Sequence, residues 1–147
     1  MNYELIMLRN ALRMKRCAVK FREELQQIAL TSYDATCWRN GTMGQIGAIA
    51  CSQERIEECL RFYEIVKSAL LIIPAGYRAL LVAVYVKKTD KKALAKRYQV
   101  SISTVYRKLC RARVSFLNAL MSLGCDEEWF LANYSDYEFE ERLPRRS

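Results

Sequence analysis

Seven apolar residues near the front of the chain, Met7, Ala11, Met14, Ala18, Phe21, Leu25 and Ile28, recur at alternating intervals of four and three, with Glu, Lys, Arg and Gln between them. A helix of 3.6 residues per turn gathers residues at that rhythm into one stripe, so the run predicts a helix of about seven turns. A second stripe follows at Ile56, Cys59, Tyr63, Val66, Leu70 and Ile73, with Ser52 as its expected N-cap and Glu54 in the first turn, where the helix dipole favours an acid. The two stripes can close on each other as a hairpin or pair two chains into a homodimer through the N-terminal helices. A hairpin satisfies both within one chain and is the favoured expectation. Between them, residues 33–51 contain Gly41, Gly44 and Gly47 and few charges, and are expected to form a flexible connection. Their G-x-x-G-x-x-G spacing is not G-x-G-x-x-G and no strand pattern precedes it, so a phosphate cradle is not expected.

Of the 147 residues, 52% are apolar and 27% charged, the balance of a globular chain rather than of a disordered or fibrous one. The most apolar stretches, Ala69 to Ile73 and Ala79 to Val86, are short and flanked by Lys or Arg, far below the ~18 residues that a membrane span needs. The first residues carry Glu4 and lack the basic and apolar regions of a secretory signal, so a cytoplasmic location with no membrane partner is expected. Six cysteines occur without a C-x-x-C and there is no histidine, so neither a metal site nor a cofactor is expected. Cys17, Cys59 and Cys110 fall in helical patterns and are expected to be small buried hydrophobes. The missing histidine also removes the commonest general base and every Ser-His or Cys-His pair; no catalytic residue is assigned and no enzyme expected.

The charge is concentrated. Lys87 to Arg113 hold ten Lys or Arg against one acid, Asp90, within a chain of net charge +8, whereas Asp126 to Ser147 hold seven acids against three Arg. A basic window between a near-neutral front and an acidic end points to a polyanionic partner at one place on the chain. Pro74 needs no amide donor at a helix start, so Pro74-Ala75-Gly76-Tyr77 opens a helix to about Val86, with Ala79 to Val86 buried on most sides. Val82 to Val86 is rich in β-branched residues, but no comparable strand exists to pair with it. Asp90 or Thr89 can cap a short helix, Lys91 to Tyr98, with Leu94, Ala95 and Tyr98 inward. A turn, Gln99-Val100-Ser101, then leads into a long helix with Ile102, Val105, Leu109, Ala112 and Phe116 inward. This is the grammar of a helix-turn-helix. The outward face of its second helix offers Ser103, Thr104, Tyr106 and Arg107 for base edges. Lys108 and Arg111 beside them, and Lys88, Lys91, Lys92 and Lys96 before the turn, are placed to hold phosphates.

The segment IPAGYRALLVAVYVKKTDKKALAKRYQVSISTVYRKLCRARVSFLNAL, Ile73 to Leu120, resembles region 4 of sigma-70-type factors, in which a proline-initiated scaffold helix precedes a helix-turn-helix of the form LA..y.VS.sTV.r.l.rA...L. The layout as a whole is similar to that of small phage-encoded late-transcription regulators of the ArpU and RinA type. The turn position that the family usually gives to Gly is Gln99, and no region 2 for melting a promoter is recognisable. The resemblance implies an all-α protein: an N-terminal helical hairpin over 1–73, a three-helix helix-turn-helix module over 74–123, and an acidic, aromatic C-terminal tail over 124–147. It implies a transcription regulator that binds duplex DNA and contacts RNA polymerase. The alternative is a factor that docks on polymerase or a sigma factor without reading DNA. In the tail, Asp126, Glu127 and Glu128 suit an N-cap and first turn for a helix to Tyr134, carrying Trp129 and Phe130. Tyr137 and Phe139 lie among the later acids, and Arg142 to Ser147 are expected to be disordered.

Overall fold

The structure is a computed structural model that describes residues 2–31 and 42–134. The protein is all-α: α1 (Tyr3–Thr31), α2 (Thr42–Ile72), α3 (Ala75–Leu81), a π-helical turn (Val82–Val86), α4 (Lys91–Tyr98), α5 (Ile102–Ser122) and α6 (Glu127–Tyr134), with no strand among the described residues. The described residues form two compact units, one within Met1–Ala11 and Glu64–Ser147 and the other within Leu12–Tyr63.

In the unit Leu12–Tyr63, α1 and α2 run antiparallel. Lys15 Nζ lies 4.9 Å from the centre of the Tyr63 ring and the Arg55 guanidinium 5.9 Å from that of Phe21, so positions advancing on one helix retreat on the other. Met14 and Ala18 of the first stripe are buried, as are Ile56, Cys59 and Phe62 of α2. Burial pushes the Cys59 thiol up to about 11, with Cys17 adding to the rise. Met14 and Ala18 of the stripe offered for a homodimer are therefore covered within a single chain. Three expectations are corrected here. Phe62, fully enclosed, takes the inward place expected of Tyr63, which turns to meet Lys15. The helix also starts at Thr42, so Ser52 lies inside it rather than capping it, and the second half of the expected connection is helical. Gly44 and Gly47 each cost a helix about 1 kcal/mol relative to Ala, but no proline interrupts the run and the residues around them are helix-compatible. Residues 33–41 of that connection lie outside the described residues.

In the other unit the beginning of α1 is enclosed on nearly every side: Tyr3, Leu5, Ile6, Met7, Leu8 and Ala11 are buried together with Glu4 and Asn10. A helix wrapped in this way must satisfy its polar groups internally. Tyr3 donates its hydroxyl to the Cys125 carbonyl at 2.8 Å, and its ring meets that of Phe130 at a tilt of 36° with centroids 5.8 Å apart. Asn10 donates to the Ile6 carbonyl at 2.8 Å, and Glu4 pairs with Arg113 of α5 at 3.4 Å. From α2, Val66, Ala69 and Ile73 are buried, with Ala69 in the place expected of Leu70. The end of α2 is closed by Arg78, whose Nε donates to the Leu70 carbonyl at 2.7 Å and whose Nη2 reaches those of Leu71 and Ile73 at 3.3 Å. A cation on the last carbonyls of a helix both satisfies and neutralises them.

Pro74 precedes α3 as expected, and the helix tightens no further but widens into the π turn: Lys87 N–H bonds to the Val82 carbonyl and Thr89 N–H to that of Ala83. Ala79 is exposed, Leu80, Leu81 and Ala83 are buried and the rest of the run to Val86 is half-buried. Tyr85, under the Arg9 guanidinium at 5.5 Å, has its hydroxyl pKa raised by burial against the opposing pull of Arg113 and Arg9. At the far end, Asp126 caps α6 by accepting from Trp129 N–H at 2.8 Å, and Phe130 and Tyr134 are buried. The start of the expected tail thus belongs to the core of this unit; residues 135–147, with Tyr137, Phe139 and the late acids, lie outside the described residues.

Candidate nucleic-acid interface

The candidate face is built on α4, a three-residue turn and α5. Asp90 caps α4 by accepting from Lys92 N–H at 3.3 Å. The helix ends in a left-handed residue, Gln99 (φ 55°, ψ 43°), with Val100 N–H bonded to the Ala95 carbonyl and Gln99 N–H to that of Lys96. That is the double bond of a Schellman end, a position in which glycine avoids the steric cost that glutamine bears. Ser101 then caps α5: its Oγ accepts from Thr104 N–H at 3.2 Å and lies 2.9 Å from Thr104 Oγ1. At the other end Gly124 (φ 78°) closes α5 with the same pair of bonds, from Cys125 to Leu120 and from Gly124 to Met121. Leu94 and Ala95 of α4 and Val105, Leu109, Ala112 and Phe116 of α5 are buried, the inward set expected from their spacing.

Tyr98 and Ile102 do not join them. They are 50% and 38% exposed and flank the turn. Helical period assigns a face but not what lies opposite. Cys110, expected inside, is exposed; it lies one residue beyond the buried Leu109, on the outer side of α5.

Of the sites assigned to base edges, Ser103, Tyr106 and Arg107 are exposed, whereas Thr104 is half-buried with its hydroxyl engaged at the cap. Of those assigned to phosphates, Lys88, Lys92, Lys96, Lys108 and Arg111 are exposed and Lys91 is half-buried, its Nζ 4.5 Å from the centre of the Tyr106 ring. Lys88 adopts a left-handed backbone (φ 53°) ahead of α4. Lys87, Arg97 and Arg107 are also exposed, so eight of the ten cations between Lys87 and Arg113 face solvent. Arg113 instead serves the core through Glu4. A shallow groove of about 430 Å³ lies beside the turn, lined by Lys92, Ala95, Lys96, Gln99, Val100 and Ile102.

On α5 two rows lie side by side, each stepping by four residues: Ser103, Arg107 and Arg111 form a polar row, and Ile102, Tyr106, Cys110 and Val114 an apolar one. All seven side chains are exposed. The polar row carries a hydroxyl and two guanidinium groups, donors suited to base edges and phosphates.

Among the described residues no group of three His, Cys, Asp or Glu is placed to hold a metal ion, and no helix is long and apolar enough to cross a membrane. No family model, curated protein or solved structure matches this chain.

Proposed function

We propose that this protein is a sequence-specific, sigma-factor-like transcription regulator that binds duplex DNA by laying the first turns of α5 in the major groove. The observation that carries the reading is the concentration of eight exposed cations around one helix, turn and helix, with the Ser103, Arg107 and Arg111 row at their centre. An α-helix fits the major groove, where guanidinium groups pair bidentately with guanine and lysines at the rim neutralise phosphates. The likeness of Ile73 to Leu120 to sigma region 4 supports the same reading and adds RNA polymerase as a partner.

The test is binding of the full chain to duplex DNA across a range of salt. Six phosphate contacts, from Lys88, Lys91, Lys92, Lys96, Lys108 and Arg111, give a slope of log affinity against log salt of about −5. Arg107→Ala is expected to weaken a selected site by ~1 to 3 kcal/mol and random duplex far less. Exposed Cys110 supplies a direct footprint. In a variant with Cys17, Cys37 and Cys51 replaced by Ser, duplex DNA is expected to protect Cys110 from alkylation, while Cys59 and Cys125 are already buried. Alkylation at an unchanged rate with DNA in excess, together with a flat salt response, would overturn the proposal. Capture of RNA polymerase under those conditions would move the function to protein docking.

A further inference from the structure

The polar row of α5 accounts for only half of what that helix presents. Immediately beside it, Ile102 and Tyr106 are 38% and 49% exposed in the first two turns, level with Ser103 and Arg107. Exposed apolar side chains on a solvated helix sacrifice the stabilisation that burial would supply, and here Ile102 lines the shallow groove with Lys92 and Lys96, while Tyr106 lies under the Lys91 ammonium and precedes Arg107 and Lys108 in the chain. Cations of this density draw a polyanion, and the floor of the major groove offers one apolar group, the C5 methyl of thymine.

We infer that Ile102 and Tyr106 read thymine methyl groups, so that the preferred duplex places thymine next to the guanine read by Arg107. This rests on the DNA-binding reading above and adds to it the class of base recognised. Ile102, at the first helical position, is placed for the outermost methyl. Tyr106, one turn further on, has the Lys91 ammonium over its ring at 4.5 Å, a contact that restricts the ring's freedom while the side chain stays 49% exposed. Helix N-terminal residues are those that approach base edges in this docking mode, so Val114, three turns along, is outside the contact.

The experiment starts by selecting preferred sites from random duplex with the full chain and then replaces each thymine singly by deoxyuridine. That exchange removes the methyl and alters no hydrogen-bonding group. Burying one group of that size against an apolar side chain corresponds to about a fourfold change in affinity. The expected result is a loss of about fourfold at one or two thymines for the unaltered protein, and no such loss for Ile102→Ala or Tyr106→Ala at the corresponding position. Val114→Ala is expected to keep the full sensitivity, and circular dichroism checks that each variant retains its helices. Selected sites whose affinity ignores every thymine-to-uracil exchange would overturn the inference while leaving DNA binding intact. Enrichment of no sequence above random duplex would instead sink the sequence-specific reading on which it rests.

Discussion

The ion pair between Glu4 and Arg113 is asymmetric, and that asymmetry can be measured. Glu4 has 8% of its side chain exposed, Arg113 30%, and Arg113 Nε is enclosed without a hydrogen bond. Removing one partner of a buried pair costs about 3 to 5 kcal/mol because a charge is stranded. Arg113→Met strands the enclosed carboxylate but also removes the unsatisfied Nε, which relieves about 1 to 3 kcal/mol. The net cost is about 2 kcal/mol, the middle of a range of about 0 to 4. Glu4→Gln leaves a guanidinium that can swing its exposed end to water, and is expected to cost under about 1 kcal/mol, with the double variant close to Arg113→Met alone or better. The assay is urea unfolding followed by Trp129, whose ring meets Tyr134 edge-on at 5.5 Å within the same unit as the pair. Trp38→Phe in every variant removes the other tryptophan. A larger loss for Glu4→Gln than for Arg113→Met would refute the burial argument, and losses below about 0.5 kcal/mol for both would show that the pair contributes nothing.

Other outcomes follow from the caps and the buried hydroxyls. Gln99→Gly is expected to raise stability by about 0.5 to 1 kcal/mol in thermal melts, since glycine meets no steric penalty at φ 55°; a lower midpoint would mean that the glutamine side chain holds the turn. Asp126→Ala, which removes the 2.8 Å bond to Trp129 N–H, is expected to cost about 1 kcal/mol, read by the same tryptophan. Ala112→Leu overfills a fully buried position and is expected to cost ~1 to 3 kcal/mol in urea unfolding, whereas Ala95→Leu, beside the open groove, costs less. Burial holds Tyr3 up to about 12 and Cys59 up to about 11, favouring their neutral forms in the folded state, so the contribution of these two groups to stability is constant below about pH 9. It then falls from 9 to 11 through Cys59 and from 10 to 12 through Tyr3, each on the order of 2 to 3 kcal/mol, and Tyr3→Phe flattens the upper part of that curve.

Where a pattern depended on local spacing, it was legible in the chain. The length of α1, the caps at Asp90 and Asp126, the helix opened at Pro74 and the inward set from Leu94 to Phe116 all follow from period and capping chemistry alone. What period cannot show is whether a neighbour stands opposite, which is why spacing points Tyr98, Ile102 and Cys110 inward although they are exposed. Glycine content was equally ambiguous, since Gly44 and Gly47 weaken a helix without ending one. The near-neutral sum over the front conceals a modest asymmetry: α1 carries six Lys or Arg against three Glu, and α2 three Lys or Arg against four Glu. The burial of Tyr3 to Ala11 rests on partners more than a hundred residues away, and no local signal carries that. On the candidate face, Ser103, Tyr106, Arg107 and the lysines were visible from their positions on α5 and α4, while the engagement of Thr104 with Ser101 and of Lys91 with Tyr106 required the geometry.

The hydrogen bond from Tyr3 to Cys125 spans 122 residues, and during synthesis that separation becomes time. At ~5 to 20 residues per second, the apolar start of α1 leaves the ribosome roughly 6 to 25 seconds before the last of its partners is made. Tyr3, Leu5, Ile6, Met7 and Leu8 are all buried in the finished fold, so for that interval the nascent chain displays them with nothing to cover them. The antiparallel partner of α1 within Leu12–Tyr63 arrives much sooner. Folding on the ribosome is thus expected to close Leu12–Tyr63 first and the unit that carries α5 later. A chain stalled before Phe130 would present a sticky N-terminus to chaperones.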